Sequence, residues 1–370
     1  MNKVKVLEIG PSNFGKGGLS SIAWNWYVNF NHSKLQVHFL ACAKPDNKYI
    51  NLIEKNEDVF YCIGSKNFLV RQLKKFFITK KIAKSNKYDC IHIHASDAFE
   101  AFVYYLSVKK FCDNIIIHSH STGIVWDSPI KASIKYIFHK ICRRLLIGRK
   151  IVRLACSDKA GKWMYPEKYE FTIINNGIET SKFIYNNHIR KEKRNELGVE
   201  NKFVVGHIGK FNYVKNHIFL IDIFNEIHKK NTNAILLLIG EGELENQIKD
   251  KVHNLGLDKA IIFYGTTPNA NEFYQAMDCF VLPSHFEGMP LVLIEAQAAA
   301  LKCMCSDTIT LEAGITDLLE YMSLSSDPKK WAEKILTYAN YDRKDMSNEI
   351  KESGFDIKYS AKQLEDIYCS

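Results

Sequence analysis

The sequence predicts an α/β fold built as two similar halves, and three observations carry that expectation. Short apolar, β-rich runs alternate with longer amphipathic stretches along the whole chain, as strands alternate with crossover helices. Several runs are apolar at every position, as in Ile235-Leu236-Leu237-Leu238-Ile239. Strands covered on both faces belong to parallel sheets flanked by helices. One polar, charged segment, residues 186–201, breaks the alternation and holds no strand pattern. It sets the expected boundary between a first domain, 1–185, and a second, 186–354, whose parallel sheets face each other across a cleft. In open α/β sheets ligands bind beyond the carboxyl ends of the strands, so post-strand loops are expected to line that cleft.

The elements follow in order. Expected strands of the first half are 4–9, 35–40, 59–63, 90–94, 115–118, 152–156 and 171–174. Helical patterns between them cover 19–30, 68–85, 98–110, 131–147 and 159–165. The second half repeats the style with strands at 203–207, 234–239, 260–264, 279–282 and 303–306. Its helical patterns are 214–228, 244–255, 270–276, 290–300 and 329–339.

Composition narrows the function classes. The chain has 370 residues, 46% of them apolar and 25% charged, with only 19 Gly and 8 Pro. That profile excludes collagenous, mucin-like and wholly disordered proteins. At roughly 100–200 residues per domain, two or three domains are expected. The net charge of +9 is unevenly placed: residues 1–185 carry +15 and residues 186–370 carry −6. A basic first half points to an acidic partner there: nucleic acid, an anionic membrane surface or a phosphorylated substrate. None of the ten cysteines forms a CxxC pair and most lie in apolar runs, which predicts free buried thiols in a reducing compartment and no zinc site. The opening residues carry no signal-type apolar run, and no apolar run approaches about 18 residues, so a cytoplasmic chain with at most peripheral membrane contact is expected.

Four motifs carry chemistry. The first runs from Leu282-Pro283-Ser284-His285 through Phe286-Glu287-Gly288-Met289-Pro290-Leu291 to Glu295. It places Glu287 in a post-strand loop and Glu295 in the helix that follows. Pro290 suits a first helical turn, and the free N–H groups from about Met289 to Val292 form an anion or hydroxyl site. The second is Gly209-Lys210-Phe211-Asn212-Tyr213-Val214-Lys215-Asn216-His217, a strand end with two cations around a turn, suited to a diphosphate. The third is Gly15-Lys16-Gly17-Gly18, glycines that let backbone approach a ligand at a helix start. Neither a Gly-x-Gly-x-x-Gly fingerprint nor a Gly-Lys-Ser/Thr P-loop is present. The fourth is His118-Ser119-His120 at the end of a strand, with Cys90-Ile91-His92-Ile93-His94 as a similar strand end. A histidine there can hydrogen-bond a sugar hydroxyl or a developing charge.

On these residues the chain resembles the retaining glycosyltransferases of family 4, and within them the capsule and exopolysaccharide branch. The resemblance implies a GT-B fold of two Rossmann-like domains, an activity that moves a hexosyl-type residue from a nucleotide diphosphate sugar to a saccharide, UDP as the expected nucleotide, and no metal or other cofactor. It puts Glu287 and His120 on the donor sugar, Glu295 on the ribose hydroxyls, and Lys210 and Lys215 on the diphosphate. Gly288, Met289, Pro290, Leu291, Gly17, Gly18 and Gly265 become donor-binding positions, and His94 and His118 border the acceptor. Lys210 stands where the family more often has Arg, which keeps the charge without bidentate geometry. Ala300 and Lys302 replace the usual Gly and Pro at a helix exit. Residues 355–370 are similar to the family's final helix, which crosses back onto the first domain.

The basic half gains a reading from this. Basic residues from Arg71 through Lys74, Lys75, Lys80, Lys81 and Lys84 to Lys87 alternate with apolar ones, and residues 140–150 form a second patch. Such helices lie against anionic lipid, at about 1 kcal/mol per basic residue near the surface. The expected partners are a nucleotide sugar, a lipid-linked glycan acceptor and the inner membrane surface. No nucleic-acid partner is expected, since no recognition module accompanies the charge. Two other classes stay open at this point. A sugar-nucleotide epimerase of similar architecture would consume donor without acceptor. A non-enzymatic polyanion-binding protein would show tight, salt-sensitive nucleic-acid binding.

Overall fold

A computed structural model describes residues 3–11, 18–64, 68–124 and 129–370. The chain divides into two compact units, one formed by residues 1–177 with 357–370 and the other by residues 178–356.

The first unit is a seven-stranded parallel sheet of β1 (Val4–Ile9), β2 (Leu35–Ala41), β3 (Val59–Cys62), β4 (Cys90–Ala95), β5 (Ile115–Ser119), β6 (Val152–Ala155) and β7 (Thr172–Ile173). Their order is β3-β2-β1-β4-β5-β6-β7. The helices in chain order are α1 (Gly18–Asn29), α2 (Asn47–Lys55), α3 (Phe68–Ser85), α4 (Ala98–Val108), α5 (Pro129–Leu145) and α6 (Asp158–Met164).

The second unit holds α7 (Thr180–Phe183), α8 (Asn187–Leu197), β8 (Phe203–Ile208), α9 (His217–Lys230), β9 (Ala234–Ile239), α10 (Glu245–Asn254) and β10 (Ile261–Gly265). It continues with α11 (Ala270–Ala276), β11 (Cys279–Leu282), α12 (Leu291–Ala298), β12 (Lys302–Ser306), β13 (Leu319–Met322), α13 (Pro328–Leu336) and α14 (Ser347–Glu352). Its parallel sheet runs β10-β9-β8-β11-β12-β13. Successive residues point to opposite faces: Val204, Leu237, Phe280 and Cys303 enter one core, while Val205, Leu236, Val281 and Met304 enter the other. That is why these strands read as unbroken apolar runs. The last helix, α15 (Ile357–Cys369), belongs to the first unit and packs on α1 and β1.

Every expected strand is present. Strand β13 was not expected, because Glu320 within it pairs with Lys334 and Tyr338 and breaks its apolar pattern. The polar segment 186–201, read as holding no strand, contains helix α8. Asn186 caps it by accepting from the His188 and Ile189 amides at 2.9 and 3.2 Å, and Gly198 ends it with φ of 67°. These are ordinary helix start and stop signals. The helix is nearly all polar, so hydrophobic periodicity does not reveal it.

What holds α8 is charge. Arg190 and Arg194 both reach Asp278, at 2.5 and 3.1 Å, and Asp278 also accepts from the Val204 amide at 2.7 Å. The two arginines and Arg343 donate to carbonyls at the end of α11, Gln275, Ala276 and Met277 among them. Cations at a helix C-terminus satisfy carbonyls that have no intrahelical donor. One further expectation shifts. Pro290 precedes helix α12 as its N-cap rather than lying in its first turn. Ala300 takes φ of 56° at the helix exit, a left-handed conformation that costs an L-residue roughly 1–2 kcal/mol and a glycine nothing.

No disulfide joins any of the ten cysteines, and seven of them are buried; Cys62 and Cys369 are exposed and Cys42 is half-buried. Among the described residues no helix is long and apolar enough to cross a membrane.

Candidate functional site

Both sheets reverse strand order beside their first strand, at β1/β4 and at β8/β11. Such a reversal leaves a crevice at the carboxyl ends of the strands. In the second unit the loops that leave β8 and β11 are therefore neighbours, and they carry the first two motifs.

The two loops are tied together at several points. Lys215 Nζ lies 2.7 Å from Glu287 Oε1, with both side chains largely buried. The same Glu287 oxygen accepts from Ser284 Oγ at 2.9 Å. The His285 amide donates to the Val214 carbonyl at 2.8 Å, and the His285 ring stacks on Tyr213 at 4.4 Å. Asn212 Oδ1 accepts from the Lys215 amide at 3.1 Å. A fixed ammonium beside a fixed carboxylate is charge prepared in advance of a ligand. Lys210 stands apart: it is exposed and pairs with Glu243 at 2.9 Å.

Backbone approach is close where the loops after β8 and β9 meet. Gly240 has φ of 139°, and a Cβ there would lie 2.0 Å from the Gly209 carbonyl oxygen. Only glycine lets the loops after β8 and β9 come this near. Gly265 ends β10 with φ of 83° and accepts from the Gly240 amide at 2.8 Å. Gly288 and Met289 form the bend before Pro290, and Leu291 opens α12.

Glu295 lies one turn into α12 and accepts from Tyr274 Oη at 2.8 Å. Burial pushes its carboxyl up to about 7, against the Tyr274 hydrogen bond and the Lys215 charge, which pull it down. A carboxyl that changes charge near neutrality is a mark of a site built for a ligand. Burial likewise raises the Tyr274 hydroxyl.

The first unit gathers the histidines. Glu8 on β1, His92 and His94 on β4, and His118 and His120 at the end of β5 lie on one face of adjacent strands, as the register shows: Glu8 opposite His92, His94 opposite His118. His92, His94 and His118 have no exposed surface, and His120 is half-buried. Trp26 of α1 stacks on His118 at 5.5 Å and on His94 at 6.1 Å. Burial drives His92, His118 and His120 well below the ordinary histidine range, and neighbouring imidazoles add to it. Metal-ligating nitrogens of His92, His94 and His118 lie within 4.8 Å of one another, which is the one metal-like grouping among the described residues. Of the glycine motif, Gly18 begins α1, while Gly15, Lys16 and Gly17 lie outside the described residues.

Sequence reasoning missed Ser284, His285 and Tyr274 in the second unit, and Glu8 and Tyr368 in the first. Ser284 and His285 stand inside a quoted motif and were readable as post-strand polar residues. Tyr274, Glu8 and Tyr368 carry no local signal.

Comparison with known proteins bears on this arrangement. Residues 189–354 match the family described as glycosyl transferases group 1. EpsF of Bacillus subtilis (strain 168), named for a glycosyltransferase, is 27% identical over 376 residues, covering 96% of this chain and 94% of that protein. An Escherichia coli protein named UDP-Gal:alpha-D-GlcNAc-diphosphoundecaprenol alpha-1,3-galactosyltransferase is 26% identical, covering 65% of this chain and 63% of its own length. Among solved structures, Anabaena HepE in complex with UDP and glucose superposes with a TM-score of 0.75 at 16% identity, covering 98% of each chain.

Proposed function

Residues 189–354 form a glycosyl transferases group 1 domain and the chain is a glycosyltransferase of GT-B fold; from that premise we propose a retaining, metal-independent transfer from a nucleotide diphosphate sugar to a lipid-linked saccharide in bacterial capsular or exopolysaccharide synthesis. The observation that carries it is the Lys215–Glu287 pair at 2.7 Å, held between the loops after β8 and β11. Lys215 and Lys210 take the diphosphate with the first amides of α12, and Glu295 takes the ribose. Gly288, Met289 and Leu291 supply backbone groups, Pro290 shapes the bend, and Gly265 borders the base. By the resemblance, Glu287 and His120 are assigned to the donor sugar, His94 and His118 to the acceptor, and Gly17 and Gly18 to donor binding.

In the reaction the bond between the anomeric carbon and the diphosphate oxygen breaks as the acceptor hydroxyl attacks from the face being vacated. The hydroxyl proton passes to the departing phosphate oxygen. Lys210, Lys215 and helix amides stabilise the growing negative charge, so no metal is needed for that step. UDP as carrier and a diphosphate lipid as acceptor are favoured by the E. coli relative's name and by the UDP bound to HepE.

Membrane contact fits the first unit, in a cytoplasmic protein bound peripherally at the inner membrane face. Val70, Leu73 and Phe77 of α3 and Ile134, Ile137, Phe138, Ile141 and Leu145 of α5 are exposed. Both helices pack on α4, and lysines such as Lys74, Lys80, Lys81 and Lys140 are exposed on them. Lys75 is not part of this face: it is buried against Glu100 at 2.5 Å. An apolar patch edged by cations suits an anionic bilayer.

The test is a screen of UDP-sugars against diphospholipid-linked saccharides in anionic vesicles. The expected product keeps the donor's anomeric configuration by NMR, with one UDP released per linkage and protein bound to anionic but not neutral vesicles at low salt. An inverted anomer, or donor consumed without UDP release, rejects the reading.

Glu295 adds a pH prediction. Its carboxyl is held near 7, above the ordinary 4.5, and only the ionised form accepts from both ribose hydroxyls. UDP-glucose affinity is expected to weaken about tenfold from pH 8 to pH 6, with proton release on binding. Calorimetry in two buffers of different ionisation enthalpy measures this; a flat profile removes Glu295 from the nucleotide. The stability sign is separate: the folded state retains a proton that the unfolded chain gives up between about 4.5 and 7. This group's contribution is therefore full below that window and lost as pH rises through it.

A further inference from the structure

Five titratable groups, Glu8, His92, His94, His118 and His120, are packed on one sheet face of the first unit beneath Trp26 and the Tyr368 end of α15. With Glu8 as a carboxylate, their hydrogen bonds have one consistent direction. Tyr368 Oη donates to Glu8 Oε1 at 3.0 Å. Its single proton is then used, so at 2.6 Å it accepts from His92 Nδ1. A neutral imidazole protonated at Nδ1 is an acceptor at Nε2, so His92 Nε2 accepts from His118 Nδ1 at 3.2 Å. His118 Nε2 is left bare, buried and without a partner among the described residues.

A second chain ends on the other carboxylate oxygen. His94 Nε2 faces Glu8 Oε2 at 3.6 Å, an electrostatic contact longer than a hydrogen bond. The carboxylate attracts the ring proton to that nitrogen, which leaves His94 Nδ1 as acceptor. It lies 3.0 Å from His120 Nε2, so His120 carries its proton on Nε2 and its buried Nδ1 has a free lone pair. All the donors point toward Glu8.

We propose that Glu8 is a positioning residue: through His94 it fixes the His120 proton on Nε2 and keeps Nδ1 as an acceptor for a substrate hydroxyl. The choice of hydroxyl as ligand rests on the transferase reading; the tautomer does not. A metal held by His92, His94 and His118 is the competing use of the same rings, but both His92 nitrogens are already engaged by Tyr368 and His118. Among the described residues Glu8 has no lysine or arginine partner; a hydrogen bond from Tyr368 and the longer His94 contact face its two oxygens.

The experiment is ¹⁵N NMR of the full chain with labelled histidine, alongside Glu8→Gln and Tyr368→Phe. In the wild type, His120 is expected to be protonated at Nε2 and His118 at Nδ1. In Glu8→Gln the side-chain amide donates to His94 Nε2, so the His120 proton moves to Nδ1. Transfer kcat/KM then falls about tenfold, the cost of a lost acceptor. Tyr368→Phe cuts only the first chain and leaves His120 unchanged, which keeps the test sharp if the Glu8 variant folds poorly. A His120 protonated at Nδ1 in the wild type overturns the proposal, as does a His120 tautomer that ignores Glu8→Gln. Stoichiometric zinc in the purified protein also overturns it. Absence of transfer with the stated tautomers intact rejects the transferase reading instead.

Discussion

Lys215→Ala is expected to lower sugar-transfer turnover by about 10²–10³-fold while the second unit stays folded. The lysine is the cation that the fold holds in advance: its amide is pinned by Asn212, and its ammonium sits 2.7 Å from Glu287. A positive charge placed before the reaction stabilises the diphosphate as it gains charge, and no water must reorganise to do so. Removing it leaves Glu287, among the described residues, with only the Ser284 hydroxyl, so the carboxylate also loses its orientation. Lys210→Ala is expected to do less, because Lys210 is 63% exposed and its charge is screened by water. Single-turnover rates with UDP-sugar, read beside the thermal midpoint, separate chemistry from folding. A Lys215→Ala enzyme that turns over at the wild-type rate would falsify the role given to the pair.

Asp278→Ala carries the largest expected loss of stability, about 3–5 kcal/mol in the second unit. Asp278 is the shared acceptor of Arg190, Arg194 and the Val204 amide. Arg194 is itself buried. Without the carboxylate, two guanidinium groups remain beside each other with carbonyls but no counter-charge. The Val204 amide at the start of β8 also loses its acceptor. Asp278→Asn is expected to cost less, since it keeps an acceptor oxygen. The damage should reach the site, because the same arginines cap α11, the helix that carries Tyr274 to Glu295. Denaturant unfolding of the two variants tests the stability order. A loss under 1 kcal/mol in Asp278→Ala would show that the hub is not what holds α8.

Local patterning made most of the fold legible. Apolar runs, glycines at strand ends and helix-period stretches are set by a few neighbouring residues, and each reports the local backbone. For the same reason the Lys210–Lys215 loop and the Glu287 to Glu295 segment could be read as anion-binding turns before any contact was known. Helix α8 was one exception. Its caps at Asn186 and Gly198 were in plain view, but its polar face is stabilised by Asp278, more than eighty residues away.

By itself, then, the chain determined two α/β halves, the post-strand loops that carry charge, and the basic first half. Tertiary structure alone decided which of those charges meet. It set Lys215 against Glu287, withdrew Lys75 from the basic face to Glu100, gave Glu295 its tyrosine, and joined four histidines to Glu8 and Tyr368, residues 360 apart in sequence. Spacing along a chain fixes the direction of a side chain only within its own strand or helix. Its distant partners, and so its proton and its charge, depend on sheet register and on which helix closes over the face.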